Sequence, residues 1–383
     1  MITPPPLSLY VHIPWCVQKC PYCDFNSHAL KSKVPEADYI DALLDDLAQD
    51  LRRLGPFERP LHSIFIGGGT PSLISPEEIT RLLQGIASVL PFSPEIEITM
   101  EANPGTVEAG RFDAYRQAGI NRISIGVQSF DNEKLTRLGR VHDANEAISA
   151  AQTAAQAGLN SFNLDLMHGL PTQSSQQAIA DLQQAIALNP PHLSWYQLTL
   201  EPNTLFGSQP PTLPDDDELW AIFEQGHQLL EQAGYVRYEI SGYSKPGYQC
   251  RHNLNYWRFG DYLGIGCGAH GKFTFADGRI ERSVKVKHPR GYLDTNKAYL
   301  VEQWEVEAQD RPFEFFMNRF RLIEPCPKSE FSATTGLALT HIHQPIEQAK
   351  QQGLLTEDDH SWHLTEKGLL FFNDLIALFV DGE

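Results

Sequence analysis

Short apolar runs alternate with longer amphipathic stretches through the first two-thirds of the chain. Six runs have the composition and flanking punctuation of strands: residues 7–14 (LSLYVHIP), 63–69 (SIFIGGG), 95–104, 121–130, 161–171 and 192–202. Between them, residues 39–54, 75–90 and 145–158 repeat apolar positions at helical spacing. Ser75 and Pro76 ahead of Glu77 and Glu78 read as a helix start, and Ala118-Gly119 and Ala157-Gly158 as helix ends. Such a succession of β-then-α units requires a mostly parallel sheet, either doubly wound or curled into a barrel. The polar residues decide between the two. Each strand ends in a polar or glycine-rich group: the cysteine cluster after the first, GGGTP after the second, then Glu101, Gln128, Asp165, and Thr199 with Glu201. Functional groups gathered at the C-terminal ends of many strands are the habit of a β/α barrel. The expected fold is α/β, a partial (βα)6 barrel over residues 1–240.

Past residue 240 the rhythm breaks. Residues 241–273, rich in Gly, Tyr and Trp, predict ordered loops with short strands, so 241–310 is expected to connect two larger regions. Residues 311–383 predict an α+β C-terminal domain. Its last part, 351–379, reads as helix, two short strands with a tight turn, and helix, a winged-helix-like pattern. Such units often bind DNA, but residues 351–383 hold seven acidic side chains against one Lys. A packing or lid domain is expected instead.

Composition narrows the function. A chain of 383 residues with 42% hydrophobic and 20% charged residues predicts one large domain with an appendage, not a disordered chain. A formal net charge of −18 opposes nucleic-acid binding, which needs excess Lys and Arg. No apolar run reaches membrane-spanning length, and MITPPPLSLY has neither the basic region nor the apolar run of a secretory signal. A cytoplasmic location is expected. There, six cysteines do not suggest a disulfide scaffold. Cys250, Cys267 and Cys326 are scattered and read as ordinary small, semi-buried residues, and Trp15 and Tyr243 as core aromatics.

Cys16, Cys20 and Cys23 stand together in the first βα loop, YVHIPWCVQKCPYCDFN. A zinc site could use these thiolates with His12 or His28, although zinc sites usually pair two distant C-x-x-C knuckles and no second knuckle exists. IGGGTP (66–71) brings flexible backbone and exposed amides to the end of the second strand.

The CxxxCxxC spacing, with Tyr22 before its last cysteine, resembles the radical S-adenosylmethionine (SAM) superfamily. That resemblance implies a [4Fe–4S] cluster held through three irons. SAM would chelate the open iron and be cleaved by an electron from the cluster. YVHIPWC, CPYCDFNS, GGGTPS, EANP, GVQSF, the Arg of LGRVH, and LDLMHGLP occur in order. Together they resemble the family of oxygen-independent coproporphyrinogen dehydrogenase and the HemW-type haem chaperones. The family's SAM contacts then fall on Tyr10, Gly68, Gly69, Thr70, Glu101, Gln128, Arg140 and Asp165.

Two departures favour the chaperone branch: Phe25 stands where the dehydrogenase carries a further cysteine, and only nine residues precede Tyr10. RHNLNYW (251–257) contains the branch's HNxxYW motif, which implies haem at His252 with Tyr256 and Trp257 stacking on it. Residue chemistry alone equally allows an aromatic-packed structural loop. The resemblance implies a haem chaperone that delivers haem to recipient haemoproteins such as respiratory enzymes, with cluster-dependent dimerisation. Radical decarboxylation of coproporphyrinogen is the alternative. RNA modification by a radical SAM enzyme finds no basic appendage to support it.

Overall fold

Period-2 alternation builds the sheet. The computed structural model describes residues 4–31, 33–105 and 110–380. In β1 (Leu7–Ile13), Leu7, Leu9, Val11 and Ile13 are buried in the main apolar core, while Ser8, Tyr10 and His12 take the other face. The same parity runs through β2 (Leu61–Gly68), β3 (Phe92–Ala102), β4 (Arg122–Gln128), β5 (Ser161–His168) and β6 (His192–Gln197). Their outward residues pack against α1 (Glu36–Leu54), α2 (Pro76–Val89), α3 (Phe112–Ala118), α4 (Ala144–Gln156), α5 (Ser175–Ala187) and α6 (Asp216–Gln232). The inward parity is polar: Ser63 opposite Ser8, then Glu97, Thr99, Glu101, Arg122, Ser124, Asn163, Asp165, His192 and Ser194. This barrel therefore has an apolar outside under helices and a hydrogen-bonded interior.

Local chemistry places the helix ends. Asp143 accepts from Glu146 N in a capping box at the start of α4, and Ser174 does the same with Gln177 at α5. Gly119, with φ of 117°, ends α3 in the left-handed region, as Ala118-Gly119 predicts.

The predicted strands are all present, but the parallel region contains one more. β9 (Asp261–Gly266) lies parallel beside β1, so the six βα units of the expected barrel are joined by a seventh parallel strand. Residues 236–244 and 270–305 extend the same sheet at its two ends. β7 (Val236–Arg237) and β8 (Gly242–Ser244) continue it antiparallel past β6. β10 (His270–Thr274), β11 (Ile280–Lys285) and β12 (Leu300–Glu305) continue it past β9. The physical reason is close packing. A side chain at Gly264 would put its Cβ 1.9 Å from the His270 carbonyl, so glycine replaces the apolar residues that mark a strand.

A second core, centred on Phe315, Phe316, Phe331, Trp362 and Phe379, holds the C-terminal region. There, Cys326–Pro327, Leu355–Glu357 and Ser361–Leu364 form a three-stranded sheet flanked by short helices, a winged-helix-like arrangement. No helix among the described residues is long and apolar enough to cross a membrane.

Candidate functional site

The cysteine loop is fastened before any cofactor enters the argument. Gly69 N and Thr70 N donate to the Ile13 and Trp15 carbonyls, each at 2.7 Å, tying the end of β2 to the loop. Trp15–Cys16 and His28–Ala29 form a two-residue parallel ladder that closes the loop at its base. Asn26 Nδ2 donates to the carbonyls of Cys267 and Lys287, both at 2.9 Å, anchoring the loop to the far side of the sheet. Tyr10 OH and His12 Nδ1 are 2.9 Å apart, and His12 Nε2 reaches the Asn26 carbonyl at 2.8 Å. Gly68 has a φ of 109°, and a Cβ there would lie 2.5 Å from the His12 ring. The glycine is demanded by the protein's own packing as well as by backbone conformation.

Above this base lies a cavity of about 410 Å³ at the C-terminal end of the strands. Cys16, Cys20 and Cys23 line it together with Gly68, Gly69, Thr70, Glu101, Gln128, Arg140 and Asp165. Two sequence-predicted residues are placed elsewhere. Tyr10 lies beneath the cavity, acting on the loop through His12. His252 sits near the other end of the barrel, 1% exposed, on α7 (Arg251–Trp257). Its Nδ1 is 2.9 Å from Ser63 Oγ and its Nε2 is 2.9 Å from Tyr256 OH, and burial, then the Arg122 charge, lowers its pKa to about 3. Trp257 lies under the Arg321 guanidinium, 4.4 Å from its ring centroid. Trp15 and Tyr243 are buried in the main core as expected, and Cys250, Cys267 and Cys326 are free thiols, more fully buried than expected.

The cavity's polar groups are arranged by strand. Glu101 accepts from Gly68 N at 3.0 Å; burial, then the Asp165 charge, pushes its carboxyl up to about 8. Asp165 accepts from Ser124 Oγ at 2.8 Å and Asn163 Nδ2 at 2.9 Å, and burial raises its pKa despite these bonds. Gln128 takes a φ of 69° and accepts from Tyr196 OH at 2.9 Å. Arg140 donates to Asn103 Oδ1 at 2.8 Å and the Gly126 carbonyl at 2.7 Å, and one of its nitrogens lies 3.6 Å from Cys20 Sγ. Burial raises the pKa of Cys16 and of Cys23. Sequence reasoning missed the wall residues Ser124, Met167 and Tyr196. Their signal was inward parity on β4, β5 and β6, the parity shared with Asp165.

This donor set suits a polynuclear cluster better than one ion. Among the described residues no three His, Cys, Asp or Glu side chains converge on a single-ion site, as tetrahedral zinc would require. Three thiols around one cavity, with Arg140 close to Cys20, fit a cluster whose irons take one thiolate each and whose net charge is anionic.

Comparison with known proteins identifies the family. The Radical SAM superfamily profile matches residues 10–185, and the HemN C-terminal domain profile matches residues 306–371. A protein of Escherichia coli K12 named Heme chaperone HemW is 63% identical over 380 residues, 99% of this chain and 100% of its own. The chain belongs to the HemW family of radical SAM proteins. Another HemW relative, from Haemophilus influenzae, is 62% identical over 99% of both chains, and one from Bacillus subtilis is 32% identical over 97% of this chain and 99% of its own. Among solved structures, coproporphyrinogen III oxidase (HemN) from Escherichia coli superposes with a TM-score of 0.83 at 23% identity, covering 98% of this chain and 90% of that one. This chain thus shares the HemN fold.

Proposed function

We propose that the protein binds haem and hands it to recipient haemoproteins, with respiratory enzymes as candidate recipients. The observation that carries this reading is near full-length identity of 63% and 62% to relatives named as haem chaperones. Phe25 supports it: 59% exposed on the cavity rim, it offers no thiol where the dehydrogenase is expected to carry one.

Within this reading Cys16, Cys20 and Cys23 each hold one iron of a [4Fe–4S] cluster. The bound cluster supplies an open coordination position for SAM and an electron for its cleavage. Arg140 pairs with the carboxylate of SAM, while Glu101 and Asp165 receive its amino or ribose groups. Gly68, Gly69 and Thr70 present backbone to it, and Gln128 borders the same space. Tyr10 steadies the loop through His12. His252 is the proposed haem contact, with Tyr256 and Trp257; to ligate iron its ring must first release Ser63 or Tyr256. The protein is proposed to be cytoplasmic and to form a homodimer that depends on the cluster. Size exclusion before and after cluster reconstitution tests the dimer, and an unchanged monomer contradicts it.

Haem titration combined with an anaerobic turnover assay tests the function. With reductant, SAM and coproporphyrinogen, the expected result is saturable haem binding and no decarboxylated porphyrinogen. Catalytic decarboxylation would establish the dehydrogenase instead.

A further inference from the structure

Near the opposite end of the barrel a second cavity, of about 520 Å³, opens between the early residues of β3, β4 and β5 and the segment leading into α7. Arg122, the first residue of β4, lines it and is only 3% exposed. Its Nε has no hydrogen-bond partner; burial opposes its charge, while Cys250, Glu97, Tyr238 and Asp165 nearby favour it, none of the carboxylates making an ion pair with it among the described residues. Ser161 Oγ, on the same wall, is also buried without a partner.

The acids nearby are committed elsewhere. Glu97 accepts from Cys250 Sγ at 3.5 Å, His252 N at 3.1 Å and Arg251 N at 3.1 Å, holding the start of α7. Glu95 faces Arg251 at 3.6 Å. This buried guanidinium has no direct ion pair and an unpaired Nε, which leaves it able to take an added anion. Its planar fork matches a carboxylate, and a monoanion meets less repulsion from Glu95 and Glu97 than a dianion such as phosphate would. We propose that this cavity binds a carboxylate, with Arg122 as counter-charge and Ser161 as a second donor. The carboxylate belongs either to a propionate of haem, an option that rests on the haem-chaperone reading, or to a free small organic acid.

The experiment uses cluster-reconstituted protein and its Arg122→Gln variant. Each is titrated with haem and with haem dimethyl ester, and each is melted with and without millimolar propionate and succinate. If the site takes a haem propionate, Arg122→Gln binds haem about tenfold more weakly, while binding of the ester is unchanged. If it takes a free acid, haem binding is equal in both proteins, and the small carboxylates raise the melting temperature of the wild type only. Equal responses of the two proteins to every ligand overturn the proposal. Absence of haem binding in the wild type would count against the chaperone reading alone, because the melting comparison still decides the site. Should Arg122→Gln fail to fold, Ser161→Val keeps the guanidinium and removes the second donor. It is expected to weaken the same ligands, and unchanged binding and melting responses would overturn the proposal.

Discussion

Glu101 couples cavity chemistry to stability. Its carboxyl is raised to about 8 by burial, then by Asp165, so the folded protein holds a proton there that the unfolded chain releases near pH 4.5. Between those values the folded state binds more protons, so this group's contribution to stability falls as pH rises. Denaturant midpoints of wild type and Glu101→Gln measured at about pH 5 and about pH 8 check this: wild type is expected to lose stability relative to the variant at the higher pH. A constant difference between the two would refute the assignment. The cysteines give a second prediction. Replacing any one of Cys16, Cys20 and Cys23 by Ser should abolish the visible absorbance of a reconstituted cluster, and a full-strength [4Fe–4S] signal would refute the ligand set. At Gly68, Ala meets both a φ of 109° and the His12 ring at 2.5 Å. Gly68→Ala should therefore cost about 3 kcal/mol in chemical denaturation. Much of the cavity was legible because its residues close strands and carry unusual chemistry for those positions. Tyr196 and Ser124 were not, since an isolated Tyr or Ser on a strand has no distinguishing feature until the register sets it beside Asp165.

At the scale of elements, strand periodicity was the strongest signal and helix ends were marked by their caps. Asp143→Ala removes one half of the α4 capping box and should lower stability by about 1 kcal/mol, measured by urea unfolding. Short strands are expected over 241–273, but the parallel place of β9 beside β1 is not legible, because Gly264 and Gly266 interrupt its alternation where backbone packs against backbone. The HNLNYW segment shows a different limit. Its sequence allows a packed loop or a haem contact, whereas the fold makes it the short helix α7, held by Glu97 and Ser63. His252→Ala is expected to weaken haem retention and leave the cluster spectrum intact. Haem titration matching wild type would remove His252 from the haem site.

For the whole molecule, two apolar cores divide the work. One fixes the helices around the barrel and the other builds the C-terminal region, with Phe259 and Ile280 carrying the second core back onto the sheet region. The cysteine-lined cavity and the Arg122 cavity lie towards opposite ends of one polar interior, an arrangement that strand parity implies once the barrel is accepted. A chaperone must release what it holds, and that separates it from both an enzyme and a storage protein. The decisive measurement is anaerobic haem transfer from the loaded protein to an apo-haemoprotein, followed by the spectra of both. Loss of haem from the donor in step with the recipient's gain, faster than filling from free haem, is the predicted result. A recipient that stays empty, or that fills no faster than from free haem, would contradict the account.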